Sequence, residues 1–298
     1  MKRLVFAALA VAAVFTACEK PVINETGVTD ENGQPIEDVA HDVKKFTFTM
    51  KGDFSDKWKT VTRGYLAADG KDLTDVWVLD YQDGVLVQQL HQGDNTADDF
   101  GKPTMNLKYG LHHIYFIASR GSDPDLNVIK KTITWSKVLD TFYKDYEVNV
   151  VSSSNGNRAV TLDRVVSRLR LTITDAVAAG TDRIVITPAT WYYGINYITG
   201  EPAGAKTDSD VALTINASDT GKTGLQVNLF GISSADEWQT DVTVSSRKVD
   251  DIFGSATLKD VPFRANRITE YSGPLFGTIG ELALSLNTTW DNSYQGTW

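Results

Sequence analysis

From Lys44 onward apolar and polar residues alternate with a period of two, and this pattern restricts the fold more than any other feature of the chain. Phe46, Phe48 and Met50 alternate with Thr47 and Thr49; Val76 and Val78 alternate with Trp77 and Leu79; Val85 and Val87 follow the turn pair Asp83-Gly84. The theme returns at Tyr115 and Ile117, Ile133 and Trp135, Val148 and Val150, Leu169 to Ile173, and Ile184 and Ile186. It recurs at Val211 to Ile215, Leu225 to Leu229, and Val242 and Val244. Side chains two apart share one face of a strand, so each run offers one face to a core and one to water. Short β-branched and aromatic runs punctuated by Gly, Asn, Asp and Ser predict an all-β sandwich rather than βαβ units. The best helix candidate is Trp135 to Tyr146. The polar run Ser152 to Asn157 is the strongest internal loop. It divides the body into residues 44–156 and 157–298, each of ordinary domain size, so two β-sandwiches in series are expected.

Composition then removes functional classes. The 298 residues carry 29 Lys+Arg against 38 Asp+Glu, a net charge of −9, which is unsuited to binding nucleic acid through its phosphates. With 42% hydrophobic residues and seven tryptophans the chain has ample material for a core. One cysteine, Cys18, forms no intramolecular disulfide, and His41, His91, His112 and His113 follow no zinc-ligand spacing. His112 and His113 are neighbours on a predicted strand and so point to opposite faces. There is no Gly-x-Ser-x-Gly elbow, His-Glu-x-x-His helix, phosphate loop or dinucleotide fingerprint, so an enzyme is the least supported class and no cofactor is expected. Asp94 to Asp99 gathers oxygen donors that could hold calcium, but without EF-hand spacing it reads more plainly as a solvated acidic loop. Trp191, Tyr192, Tyr193 and Tyr197 form an aromatic cluster suited either to stacking on sugar rings or to packing inside the fold.

The start of the chain reads as a targeting segment. Lys2 and Arg3 precede an apolar run, Leu4 to Phe15, that is too short to span a bilayer as a helix and fits a secretory signal. Phe15-Thr16-Ala17-Cys18 resembles a bacterial lipobox with Phe15 in the usual leucine position, making residues 1–17 the signal and Cys18 the lipidated N-terminus. Residues 18–43, rich in Glu, Asp, Asn, Gly and Thr, read as a flexible tether.

Several segments, in order, resemble the fimbrillin family of type V pilus subunits. They are the lipobox and tether, the strand Lys44 to Lys51, and the linker ending in Thr62-Arg63-Gly64. Next come Leu73 to Gly84, the stretch Leu162 to Leu171 with its Asp163-Arg164-Val165-Val166, and Val261 to Phe276 with its Pro262-Phe263-Arg264. The resemblance covers nearly the whole chain. It implies two tandem transthyretin-like β-sandwich domains, an outer-membrane lipoprotein precursor exposed at the surface, and cleavage by an arginine-specific protease after the first strand. The vacated groove is then filled by a C-terminal strand of another subunit. In this sequence the matching bond is Arg63–Gly64, and the displaced strand carries Phe46, Phe48 and Met50. The donor candidate is Glu281 to Asn287, with Leu282, Leu284 and Leu286 on one face. That segment reads equally as the last strand of its own second domain, and Arg63-Gly64 also fits an ordinary turn. The implied partners are other pilus subunits, the outer membrane through the lipid on Cys18, and ligands on host or bacterial surfaces. The alternative is a glycan-binding surface lipoprotein presenting Trp191, Tyr192, Tyr193 and Trp238.

Overall fold

The structure, a computed structural model, describes residues 43–52, 73–249, 251–276, 279–281, 285–291 and 293–297. Its first half supplies β1 (Val43–Gly52), β2 (Asp75–Gln82), β3 (Val85–Gln92), β4 (Thr104–Lys108), β5 (Gly110–Ser119), β6 (Asp125–Asn127), β7 (Thr132–Thr134), β8 (Thr141–Val150) and β9 (Asn157–Arg164). The second supplies β10 (Val166–Ile173), β11 (Arg183–Pro188), β12 (Thr190–Asn196), β13 (Pro202–Thr207), β14 (Val211–Thr214), β15 (Leu225–Ile232), β16 (Trp238–Lys248), β17 (Asp251–Phe263), β18 (Ile268–Gly273), β19 (Ile279–Glu281), β20 (Ser285–Asp291) and β21 (Ser293–Thr297). A three-residue 3₁₀ turn, Ala217–Asp219, is the one helical element among the described residues, so the chain is all-β as its alternation demands. Residues 43–298 form one compact unit.

A seven-stranded sheet runs β3-β2-β5-β8-β9-β1-β4. Residues of alternating parity along it meet in a first core: Phe46, Phe48, Met105, Leu107, Val160 and Leu162 against Val76, Val78, Ile114, Phe116, Phe142 and Val150. The tight β2–β3 hairpin turns at Asp83-Gly84, with φ of 51° and 76°, a left-handed pair that glycine adopts without steric cost. The polar loop after Val151 turns the chain within this same sheet, because β9 pairs with both β8 and β1. β10, which follows β9 after Val165, belongs to a different sheet.

Two five-stranded sheets, β15-β10-β18-β21-β20 and β14-β11-β16-β17-β19, enclose a second core built on Leu169, Leu171, Ile173, Ile184, Ile186, Val242, Val244 and Leu258. A four-stranded sheet, β13-β12-β7-β6, combines strands from both halves of the sequence. β2 and β5 are buried on both faces: Leu79, Tyr81, Tyr115 and Ile117 leave the first core and join the second. There the hydroxyls of Tyr81 and Tyr197 share a buried hydrogen bond of 2.9 Å. The helix expected over Trp135 to Tyr146 is absent. Trp135 is buried just past β7, and Thr141 onward forms β8, paired along ten consecutive residues with β5. That long ladder, with Phe142, Val148 and Val150 buried, outweighs any local helical preference.

Burial, reinforced by the hydrogen bond shared with Tyr81, pushes the Tyr197 hydroxyl well above the usual tyrosine range, and burial pushes Tyr271 up to about 12. Since the folded values are raised, the unfolded chain releases these protons first as pH climbs past about 10, and stability present below that pH is lost above it. Tyr197→Phe is therefore expected to make the alkaline decline shallower in urea titrations between pH 9 and 12. At neutral pH it costs about 1–3 kcal/mol through the orphaned Tyr81 hydroxyl. A decline as steep as in the parent would refute the assignment.

Candidate functional site at the first strand

β1 is the penultimate strand of its sheet, antiparallel to β4 and parallel to β9. Its register sets Phe46 opposite Met105 on one side, and Phe48 opposite Arg158 and Met50 opposite Val160 on the other. The predicted alternation is realised: Phe46 and Phe48 are fully buried, Met50 is half-buried, and Lys45, Thr49 and Lys51 face water. The Phe46 and Phe48 rings stack at 5.9 Å, and Phe48 meets Phe116 and Tyr146 edge-on at 5.1 and 6.0 Å. The Arg158 guanidinium lies over Phe46 at 5.7 Å. Fully burying one such ring contributes roughly 1.5–3 kcal/mol, so the two phenylalanines are the principal apolar anchors of this strand.

Loops beyond the ladder complete the seat. The backbone N–H groups of Thr47, Phe48 and Met50 donate to the carbonyls of Gly156, Pro103 and Gly101 at 2.7, 3.0 and 3.1 Å. Lys44 Nζ donates to the Ser152 carbonyl at 2.5 Å. A Cβ on Gly156 would stand 2.2 Å from the Lys45 carbonyl oxygen, so the close approach of this loop to β1 requires glycine. Gly156→Val is accordingly expected to cost about 1–3 kcal/mol and to speed amide exchange at Thr47 to Met50 more than in β5. Unchanged exchange in β1 would show that the loop does not hold the strand.

The other sequence candidates separate clearly. Cys18, His41, Arg63, Gly64, Leu282 and Leu284 lie outside the described residues. Leu286 falls in β20, which pairs with β21, and β21 pairs in parallel with β18. β19 pairs in parallel with β17, so the segments flanking 282–284 lie at the edges of both five-stranded sheets.

Of the two readings of the aromatic cluster, burial favours packing inside the fold. Trp191, Tyr193 and Tyr197 are core residues rather than a surface platform: the Trp191 indole N–H donates to the Phe230 carbonyl at 2.9 Å, and its ring meets Phe263 at 4.8 Å. Tyr192 and Trp238 are half-buried and pack edge-to-face at 5.3 Å. β12 carries Trp191, Tyr192 and Tyr193, and the alternate residues Trp191, Tyr193 and Ile195 are buried.

The titratable residues act locally. His112 is buried, its Nδ1 2.7 Å from Asp80 Oδ1 and its Nε2 2.9 Å from the Lys108 carbonyl. Burial pushes the Asp80 carboxyl up, opposed by the hydrogen bond and charge of His112. The pair is a buried polar contact beside the first core, with both ring nitrogens partnered. His91 stacks on Trp77 at 3.8 Å and meets Asp75 Oδ1 at 2.8 Å. Asp94 accepts from the backbone N–H and hydroxyl of Thr96, bonds that hold its carboxyl below the usual range in an exposed turn. Among the described residues no group of three His, Cys, Asp or Glu is placed to hold a metal ion.

No family model and no curated protein matches the sequence. Solved structures do. A proposed adhesin from Bacteroides ovatus aligns with a TM-score of 0.49 and 10% identity over 73% of this chain and 82% of its own. The fimbrial anchor protein Mfa2 from Porphyromonas gingivalis gives 0.43 and 9% over 72% and 81%. A proposed cell adhesion protein from Bacteroides fragilis gives 0.44 and 12% over 84% and 97%. Each of these is a likeness of structure at low sequence identity.

Proposed function

We propose that this chain is a structural, cell-adhesion component of a surface filament, a fimbrial subunit or accessory that joins its neighbours by exchanging β1 for a strand of another copy. The observation that carries the reading is the seat of β1: one continuous strand with two fully buried phenylalanines, inserted between β9 and β4. Removing it would unpair backbone groups on both neighbours and open an apolar slot, the condition under which strand addition is favoured. Arg63-Gly64 lies in the connection between β1 and β2, where a cut would separate the strand from the rest of the chain. The donor candidate with Leu282, Leu284 and Leu286 is flanked by edge strands, which can leave a sheet without dismantling its interior. Cys18 would hold the precursor to the outer membrane through its acyl chains, and the same cut would sever that tether. The glycan-platform alternative loses Trp191 and Tyr193 to the core.

The test is digestion of the full chain with an arginine-specific protease, followed by N-terminal mapping and denaturing electrophoresis without boiling. A single new N-terminus at Gly64 and a ladder of SDS-resistant multimers are expected. A chain that is cut elsewhere, or is cut at Arg63 and stays monomeric with β1 retained, would overturn the proposal.

A further inference from the structure

A second site stands apart from β1. The second sandwich is open along one side, where its two sheets end in the edge strands β14 and β15. Between them lies a cavity of about 550 Å³, within the range of small-molecule sites. Its apolar wall comes from both edges: Val211, Leu213 and Ile215 face Leu225, Val227 and Leu229, and Val211, Leu213 and Leu225 are only partly covered. The loop after β7 closes one end with Val138 and Leu139.

The polar lining is biased in charge although the chain as a whole is acidic. Lys137, Arg168 and Lys206 line the cavity together with Asp210 and Asp219. Both acids are engaged in local contacts: Asp210 accepts from Thr187 and Arg247, and Asp219 from the Asn216 backbone and Lys222. The cations are held by aromatic rings, Lys206 Nζ 4.1 Å from the centroid of Tyr193 and Arg168 over Phe230 at 5.6 Å. Lys137 and Lys206 are exposed at the mouth, whereas Arg168 is buried and donates to Asn228. An apolar wall beneath a cationic rim matches a molecule with an apolar body and one anionic head.

We propose that this cavity binds an amphiphilic carboxylate, its hydrocarbon part between β14 and β15 and its carboxylate at Lys137 and Lys206. Apolar burial supplies the affinity, and the rim selects the charged head over a neutral one. The site is independent of β1 and of any cut at Arg63.

The experiment is isothermal titration of the full chain carrying Cys18→Ser with decanoate and, separately, with decanol, both below their self-association limits. Decanoate is expected to bind at least tenfold tighter than decanol at low salt. The double variant K137E/K206E should lose that tenfold preference while staying folded, as checked by hydrogen exchange in β10 and β16. Leu213→Trp, which fills the cavity, should abolish binding of both probes, and its fold is verified by hydrogen exchange in β10 and β16. The proposal is overturned by equal affinity for decanol, by decanoate binding that survives the lysine reversal, or by no binding at all.

Discussion

Truncating Phe48 to alanine lowers the unfolding free energy of the intact chain by about 3–5 kcal/mol, the usual cost of emptying a fully buried phenylalanine site. Its ring touches Phe46, Phe116 and Tyr146, which come from three different strands, so the neighbours cannot collapse together to fill the gap. Phe46→Ala belongs to the same class. Lys45→Ala and Thr49→Ala on the wet face should stay within about 0.5 kcal/mol. Urea unfolding at fixed pH measures all four. The same series bears on strand exchange: after a cut between β1 and β2, the Phe48 variant should release β1 sooner, as followed by size-exclusion chromatography under mild denaturant. A Phe48 variant as stable as the parent would mean that β1 is a passenger on its sheet.

Removing Arg164 has a comparable effect through electrostatics. Its Nε and Nη2 donate to the two carboxylate oxygens of Asp140 at 2.7 and 3.0 Å, its Nη1 donates to Asn266 at 3.2 Å, and its guanidinium lies 4.8 Å over Phe142. Both ions are buried, so Arg164→Ala leaves a carboxylate without its counterion in the interior, at a cost of about 3–5 kcal/mol. Arg164→Lys should recover only part of this, because an ammonium cannot make the planar fork. Replacing Arg164 by Met and Asp140 by Leu together should be far milder than either single change, because no charge is then left unpaired. A double-mutant cycle that proved additive would show that the two side chains do not interact. Arg164 ends β9 and Asn266 lies in the turn between β17 and β18, so this contact ties the seven-stranded sheet to the second sandwich.

Period-two patterning located strands wherever one face was wet. Phe46, Phe48 and Met50 announced β1 and its buried face in full, and Asp83-Gly84 announced its hairpin. The signal weakened where both faces are covered. In β2, residues 75–81 are buried almost without interruption, so their pattern could not say that Leu79 and Tyr81 belong to a different core from Val76 and Val78. Trp191, Tyr193 and Tyr197 were legible only as an aromatic cluster, since large rings at strand spacing suit a core and a surface platform equally, and burial decides for the core. The Gly156 contact with Lys45 spans more than a hundred residues, and a lone glycine in a polar loop carries no local sign of such a contact. The cavity between β14 and β15 depends on which strands end their sheets, a property of topology to which composition is blind.

The opposite polarities of the two strands flanking β1 have a consequence for assembly. A parallel ladder and an antiparallel ladder place their hydrogen bonds with different spacing and slant, and β1 satisfies one of each at once. A guest strand entering backwards would exchange the two patterns, running antiparallel to β9 and parallel to β4. Under the proposed exchange, each junction made in the sense of β1 would repeat this arrangement, and a row of such junctions would have two chemically distinct ends. The sense of each such junction would be encoded in the backbone of a single ten-residue strand.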